Sequence, residues 1–272
     1  MGLLVGERLG QELVPDGLWE IVEPLLPPQR ERPQGGGTRY VDDRVVFTAI
    51  VYVLTTGCAW RHLPAEFGVS TATAHRRFVA WTQAGLWRRL HRAVLDRLGE
   101  QASIDWSRAV VDAASVRAKR GPLTGPNPVD RGKPGSKLHV LTDAGGLPLA
   151  VAVTAATTHD SLALVPLVQA IPAVRSRRGP RRRRPAKLHA DKGYDYPHLR
   201  SWLRQRRITP RIARRGVETA TRLGRHRWVV ERSFAWLTGY RRLTLRFERC
   251  ARLFCAFLTL AATLTCYKKL TT

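Results

Sequence analysis

Acidic side chains are scarce in this chain. It holds 21 Asp and Glu against 46 Lys and Arg, a formal net charge of +25 over 272 residues. An excess of that size points to a polyanionic partner, because phosphate backbones attract such a surface and release counterions when it binds. On charge alone, a ribosomal or generic basic protein is the alternative. Cysteine is sparse too. Cys58, Cys250, Cys255 and Cys266 show no CxxC spacing and no nearby His partners, which argues against a zinc site or a disulfide framework. They read as small buried hydrophobes in a reducing cytoplasm. No charged segment followed by an apolar core opens the chain, so no export signal is read. Long apolar runs are lacking as well. The longest, residues 253–267, falls short of a bilayer span and contains several Thr, so a buried terminal helix is expected and a membrane role is not. What is present is a hydrophobic fraction of 44%, enough for a folded protein with one substantial core and a small accessory domain. Arg far outnumbers Lys, which suits bidentate phosphate contacts, although a GC-rich genome gives the same skew.

The pattern along the chain divides it. Residues 1–14 are weakly patterned and read as a flexible arm. Pro15-Asp16 opens a helix that Pro27-Pro28 stops, and a Gly-rich loop, 29–38, follows. Asp42 or Asp43 caps a helix carrying Val45, Val46, Ala49, Ile50, Val53 and Leu54 at helical spacing, which Gly57 ends. Ser70 or Thr71 caps another, with Ala74, Phe78 and Trp81 inward and His75, Arg76 and Arg77 outward; a last helix runs from Leu86 to Leu98. This 15–100 region resembles a helix-turn-helix DNA-binding domain, with His75, Arg76 and Arg77 as candidates for groove or phosphate contacts. A bundle whose basic face is merely solvated is the other reading. From 105 to 272 the texture is α/β. A short buried strand ends at Asp112; strands at 137–142 and 147–155 flank the turn Asp143-Ala144-Gly145-Gly146; an apolar helix starts near Ser161; strands end at Asp191 and Ala213; and a patterned helix spans 228–240. Basic loops are expected at 118–136 and 175–185. The order βββ-α-β-α-β-α predicts a mixed sheet flanked by helices.

With so few carboxylates, their positions carry information. Asp112 and Asp191 each stand at the end of a buried strand, and Glu231 sits in a helix otherwise built of Arg and large apolar residues. Metal-dependent phosphoryl transfer needs such a cluster: Mg²⁺ takes oxygen ligands, and a pair of ions stabilises both the attacking and the leaving oxygen. Each residue has a plainer reading. An Asp after a strand is often a turn or helix cap, and Glu231 can pair with Arg227 one helical turn earlier. Asp160, beside His159, reads as the cap of the helix that follows it, with an outer partner of the site as the other reading, and Asp195 reads as the cap of the helix starting near Pro197. The run Arg181-Arg182-Arg183-Arg184 can grip phosphates, though a disordered basic loop looks the same. Trp228 and Trp236 read as core rather than as stacking platforms for an unpaired base.

Motifs spread over 15–267 resemble the DDE transposases of bacterial insertion sequences, in particular insertion-sequence family five. They are Trp19 to Pro27 (WEIVEPLLP), Leu54 to Pro64 (LTTGCAWRHLP), Val111 to Ala118 (VDAASVRA), Lys137-Leu138-His139, Thr158-His159-Asp160, Ala190 to Asp195 (ADKGYD) and Trp228 to Leu237 (WVVERSFAWL). The resemblance implies a ribonuclease-H-like catalytic domain behind a helical DNA-binding region, with Asp112, Asp191 and Glu231 as its catalytic and metal-holding carboxylates. It also implies two Mg²⁺ ions (or Mn²⁺ in their place), and cleavage of transposon ends followed by attack of the 3′-hydroxyl on target DNA. Its partners would be double-stranded DNA, as terminal inverted repeats and target, and a second copy in a synaptic homodimer, acting at the nucleoid in bacterial cytoplasm. Arg227 matches the Arg before the family's Glu. Gly224 stands where the family often has Tyr, and Thr238 where it often has Lys; Arg241 and Arg242 are candidates to stand in as DNA contacts. A metal-dependent nuclease that never joins strands and a non-enzymatic DNA-binding protein are the alternatives.

Overall fold

The computed structural model describes residues 9–28, 40–214 and 220–271, with backbone alone over 220–227. Residues 9–13 are helical, and Val14 is fully buried, so this end of the expected arm packs against the protein. Arg44 fastens it, donating to the Val14 carbonyl and to Gln11 at 3.1 Å each. Helix α1 (Asp16–Val22) continues into a 3-10 turn, Glu23–Leu25, before the paired prolines. Helix α2 (Asp43–Thr56) is capped by Asp42, whose Oδ1 accepts the Arg44 amide at 2.6 Å, and it ends at left-handed Gly57 (φ 71°). Helix α3 (Thr71–Gln83) is capped by Ser70, whose Oγ accepts the Thr73 amide at 3.2 Å. The connection between α2 and α3 holds two 3-10 turns, a looser version of the helix-turn-helix link. Helix α4 (Leu86–Glu100) buries Leu86, Leu90, Val94 and Leu98, one residue per turn.

The sheet follows. Strand β1 (Ala109–Ala118) pairs antiparallel with β3 (Pro134–Asp143), which pairs antiparallel with β4 (Pro148–Ala155). On its other edge β1 pairs in parallel with β5 (Lys187–Ala190), and β5 with β6 (Thr209–Ile212). The order is therefore β4-β3-β1-β5-β6, an antiparallel meander joined to a parallel pair. The short strands β2 (Gly125–Pro126) and β7 (Leu245–Arg246) add to β3 and β1. Helices α5 (Ser161–Ala170), α6 (Pro197–Gln205), α7 (Ala220–Thr238) and α8 (Ala251–Leu270) surround it. This is the ribonuclease-H-like arrangement.

Several local expectations change. β1 does not end at Asp112. It runs six residues further because Ala113 to Arg117 keep pairing with β3, although their small and polar side chains lack an apolar alternation that would announce a strand. The 175–184 segment is ordered by ion pairs to α4. Arg181 binds Asp96 at 3.0 Å and Arg175 binds Glu100 at 2.9 Å, and Val174 bridges to Arg182. Helix α8 is long and apolar enough to cross a membrane, contrary to the reading of its apolar run as too short, yet most of it is buried against α4 and β4. The helical region and the sheet also share one continuous hydrophobic core. Phe78 of α3 stacks on Phe257 of α8 at 4.3 Å, and buried His91 of α4 hydrogen-bonds through Nε2 to the Pro148 carbonyl of β4 at 2.9 Å. Desolvation holds that imidazole's pKa down to about 4, so at neutral pH it is uncharged and its Nε2–H donates to the carbonyl.

Candidate functional site

Register decides where the two aspartates stand. Ala109 lies beside Leu188 and Val110 beside His189 on adjacent parallel strands. Two residues further on each strand come Asp112 and Asp191, and Asp191 still has extended backbone (φ −75°, ψ 177°). Continued in extended backbone, the register of the pairs before them would direct both side chains to the same face of the sheet. Beyond this point β1 regains a strand neighbour on that edge at Arg117, which pairs with Leu245 of β7. Among the described residues no strand covers that edge at 111–116. The aspartates therefore border a gap in the sheet.

Asp191 also does what the plainer reading expects. Its Oδ1 accepts the Gly193 amide at 2.9 Å and caps the turn Lys192–Tyr194. A Cβ at 193 would stand 3.0 Å from that oxygen, so the Asp-x-Gly spacing reflects a close approach of backbone to carboxylate. Asp112 Oδ1 accepts the Ala113 amide at 2.8 Å. Glu231 lies on α7, which packs against β1, β3 and β5, but its own side chain is exposed. Val229, Val230, Ser233 and Leu237 form the buried stripe of that helix. Among the described residues no three His, Cys, Asp or Glu side chains stand together as a metal site, so the expected meeting of all three carboxylates is not present. The pair alone supplies hard oxygen donors, which fits a divalent ion of the Mg²⁺ type.

The expected DNA contacts divide sharply. Arg76 is exposed, whereas Arg77 pairs with Asp43 and stacks 4.0 Å over Tyr40, and His75 packs edge-on against Trp60. These last two secure the bundle rather than face outward. Arg181 is held by Asp96 and the Ala173 carbonyl, Arg182 lies over Trp106 at 5.8 Å, and Arg183 donates to the Gln169 carbonyl; Arg184 is exposed. Arg241 is exposed, but Arg242 is buried, pairing with Glu248 and donating to the Cys58 carbonyl at 2.7 Å. It is a structural clamp, not a surface contact. Gly57 permits this docking, since a Cβ there would come within 2.9 Å of Arg241 Cβ. Arg227 and position 224 lie outside the residues with described side chains.

The remaining motif residues form pairs that spacing did not reveal. Asp160 makes no cap; it binds Lys137 Nζ at 2.9 Å and so joins two distant motifs, while His159 takes the capping role, Nδ1 accepting the Ser161 amide at 3.3 Å. Asp195 likewise binds Arg200 instead of capping α6. Asp143 does anchor its hairpin. Its carboxyl is buried and accepts the amides of Asp105, Gly145 and Leu147, and burial raises its pKa to about 6. The hairpin tip then grips α7, Gly146 accepting from Ser233 Oγ at 2.7 Å and Gly145 from Arg232. Trp228 and Trp236 are exposed, not core. They sandwich the Arg232 guanidinium at 4.6 and 4.8 Å, a ladder set by their four-residue spacing.

Comparison with known proteins agrees with this architecture. Residues 14–91 match a family described as "Putative transposase of IS4/5 family", and residues 106–266 match the transposase DDE domain family. A "Putative transposase for insertion sequence element IS402" from Burkholderia cepacia is 50% identical over 149 residues, covering 55% of this chain and 71% of that protein. An uncharacterized 16.2 kDa protein of the same insertion element is 44% identical over 112 residues, covering 40% of this chain and 76% of that one. Among solved structures, a Mos1 transposase paired-end complex covers 79% of each chain at 13% identity, with a TM-score of 0.27. A pre-cleavage Mos1 transpososome covers 89% of this chain and 82% of its own at 10% identity, with a TM-score of 0.28. Both are too distant to establish a shared geometry. Half identical over 149 residues to a protein named a putative transposase, and matching the transposase DDE domain over residues 106–266, this chain belongs to the DDE transposase family.

Proposed function

We propose that the chain cleaves the ends of an insertion element and joins the exposed 3′-hydroxyl to target DNA. The observation that supports this reading is the parallel pairing of β1 with β5 just before Asp112 and Asp191, beside the gap in the sheet. Their carboxylates would hold divalent ions, Mg²⁺ or Mn²⁺, with Glu231 as the third ligand. Bound there, two such ions supply Lewis-acid stabilisation of the attacking and leaving oxygens. Glu231 is exposed, so in this reading α7 or its side chain moves toward the gap when DNA fills it. Asp191 is held in one rotamer by the Gly193 amide, and the hairpin contacts of Arg232 and Ser233 limit how far α7 can travel. Two ends must meet for joining, so the working form is a homodimer on DNA, in the cytoplasm at the nucleoid.

The test supplies a duplex with a terminal inverted repeat and a free 3′-hydroxyl, plus a plasmid target and Mg²⁺. Covalent end-to-plasmid product is expected. Hydrolysed strands without joined product would make the chain a nuclease, and binding without either would make it a non-enzymatic DNA-binding protein.

The recognition residues differ in what they should lose. Arg76→Ala is expected to weaken duplex binding and flatten its salt dependence by about one counterion. Arg77→Ala should instead cost roughly 1–3 kcal/mol of stability, since the half-buried ion pair with Asp43 is lost, with duplex affinity little changed. Equal affinity losses in both variants would refute this division.

A further inference from the structure

The structure assigns a second phosphate-binding surface to the groove between α4, the outer edge of β4 and the start of α8; this inference rests on the reading of the chain as a DNA-acting protein. The groove encloses about 820 Å³. Its floor is Leu149 to Val153 of β4, an edge strand that pairs with β3 alone among the described residues. Arg88 and Arg92 line one wall and Arg252 the other, and among the described residues no Asp or Glu lines it. All three arginines are exposed, and none makes a hydrogen bond or ion pair with a described residue. The basic 175–184 loop, by contrast, is partly neutralised by Asp96 and Glu100. The sequence-level excess of charge is thus left uncompensated in the groove.

A second feature points the same way. The first turn of α8, a 20-residue helix, opens into the groove through Ala251 and Arg252, and its N-cap residue Cys250 offers no side-chain cap. That end carries the positive pole of the helix dipole, and no acidic residue in its first turn offsets it. Planar guanidinia without a carboxylate and an uncapped helix start together suit phosphate oxygens. A second copy of this chain is disfavoured as occupant, because its own charge is +25.

Register relates this groove to the aspartates. Asp112 lies opposite Val140, and Val140 opposite Val151 in the groove floor. Two strand spacings, about 10 Å, therefore separate the two rows along the sheet. The groove would carry the sugar-phosphate backbone of duplex DNA on the far flank of the sheet, adding affinity and direction without touching the reacting phosphate.

The experiment measures anisotropy of a labelled duplex with the full chain in chelator, across a salt series. For the triple variant Arg88→Gln, Arg92→Gln, Arg252→Gln, the slope of log affinity against log salt is expected to fall by about 2.7, three released counterions. Should that variant melt early, Arg252→Gln alone is expected to lower it by about 0.9. An unchanged slope in a folded variant overturns the assignment. So does a variant that keeps duplex affinity but loses affinity for polyglutamate, since the groove would then be a surface for acidic peptides. Loss of strand joining by the wild-type chain would sink the transposase reading while leaving the slope change intact, so the two failures are distinguishable.

Discussion

Asp191→Asn is expected to lower strand cleavage by on the order of 10³-fold or more while leaving duplex binding intact. The substitution keeps an oxygen that can accept the Gly193 amide, so the capped turn after β5 survives. What disappears is a negative charge just beyond the strand that pairs with that of Asp112, and a neutral amide is a poor ligand for a hard divalent ion. Losing a group that merely hydrogen-bonds a metal's ligand already costs about 10–100-fold, so loss of a direct ligand should cost more. Asp112→Asn should do the same, because the proposed ion site draws on both carboxylates. Glu231→Gln is expected to fall with them if α7 closes over DNA. Full activity in Glu231→Gln alone would remove it from the ligand set and leave the pair standing. Wild-type turnover in the Asp191 variant would end the proposed chemistry. Gel-resolved cleavage of a labelled end, with binding measured in parallel, separates these outcomes.

Arg246→Met should unfold the protein roughly 10 °C early. This guanidinium is fully buried and donates to the carbonyls of Pro122, Leu123, Glu248 and Arg249 and to Ser136 Oγ. It thereby ties the loop after β1, the start of β3 and the chain leading into α8 to one point. Methionine fills similar volume but removes a donor from each of these acceptors, of which the Leu123 carbonyl keeps Ser136 Oγ, at a cost of about 3–5 kcal/mol for a broken buried charge network. In a chain of this size, about 1 kcal/mol moves Tm by roughly 2–4 °C. The neighbouring Arg249→Met, on an exposed side chain, should melt like the wild type. Matching Tm values for the two variants would show that the network contributes little. Neither Arg246 nor its partners could be singled out from the sequence, since one Arg among so many gives no sign of being the buried one.

How much was legible varied with the reach of the interaction. Helix starts could be read to within one residue, at Asp42 or Asp43 and at Ser70 or Thr71, and the end at Gly57 directly, because caps and left-handed glycines act over three or four residues. The hairpin at Asp143 was equally local. Beyond that range the same residue types were misassigned. Asp160 and Asp195 look like caps, yet each found a basic partner, Lys137 23 residues earlier and Arg200 five residues later. Arg77 and Arg242 look like surface charge, yet each balances a carboxylate from elsewhere in the chain. Trp228 and Trp236 look like core, yet α7 buries a different stripe and leaves them flanking Arg232.

Taken alone, the order of residues determined the class of protein, the succession of elements, and which two strands carry the aspartates, since periodicity, capping and carboxylate placement are properties of neighbours. Tertiary structure decided which strands adjoin, and so that the strands leading to Asp112 and Asp191 pair in parallel while the Glu231 side chain is exposed on α7. It also decided which arginines spend their charge inside the fold and which keep it for solvent. Pairing between distant segments depends on how whole layers pack, and no local pattern encodes that.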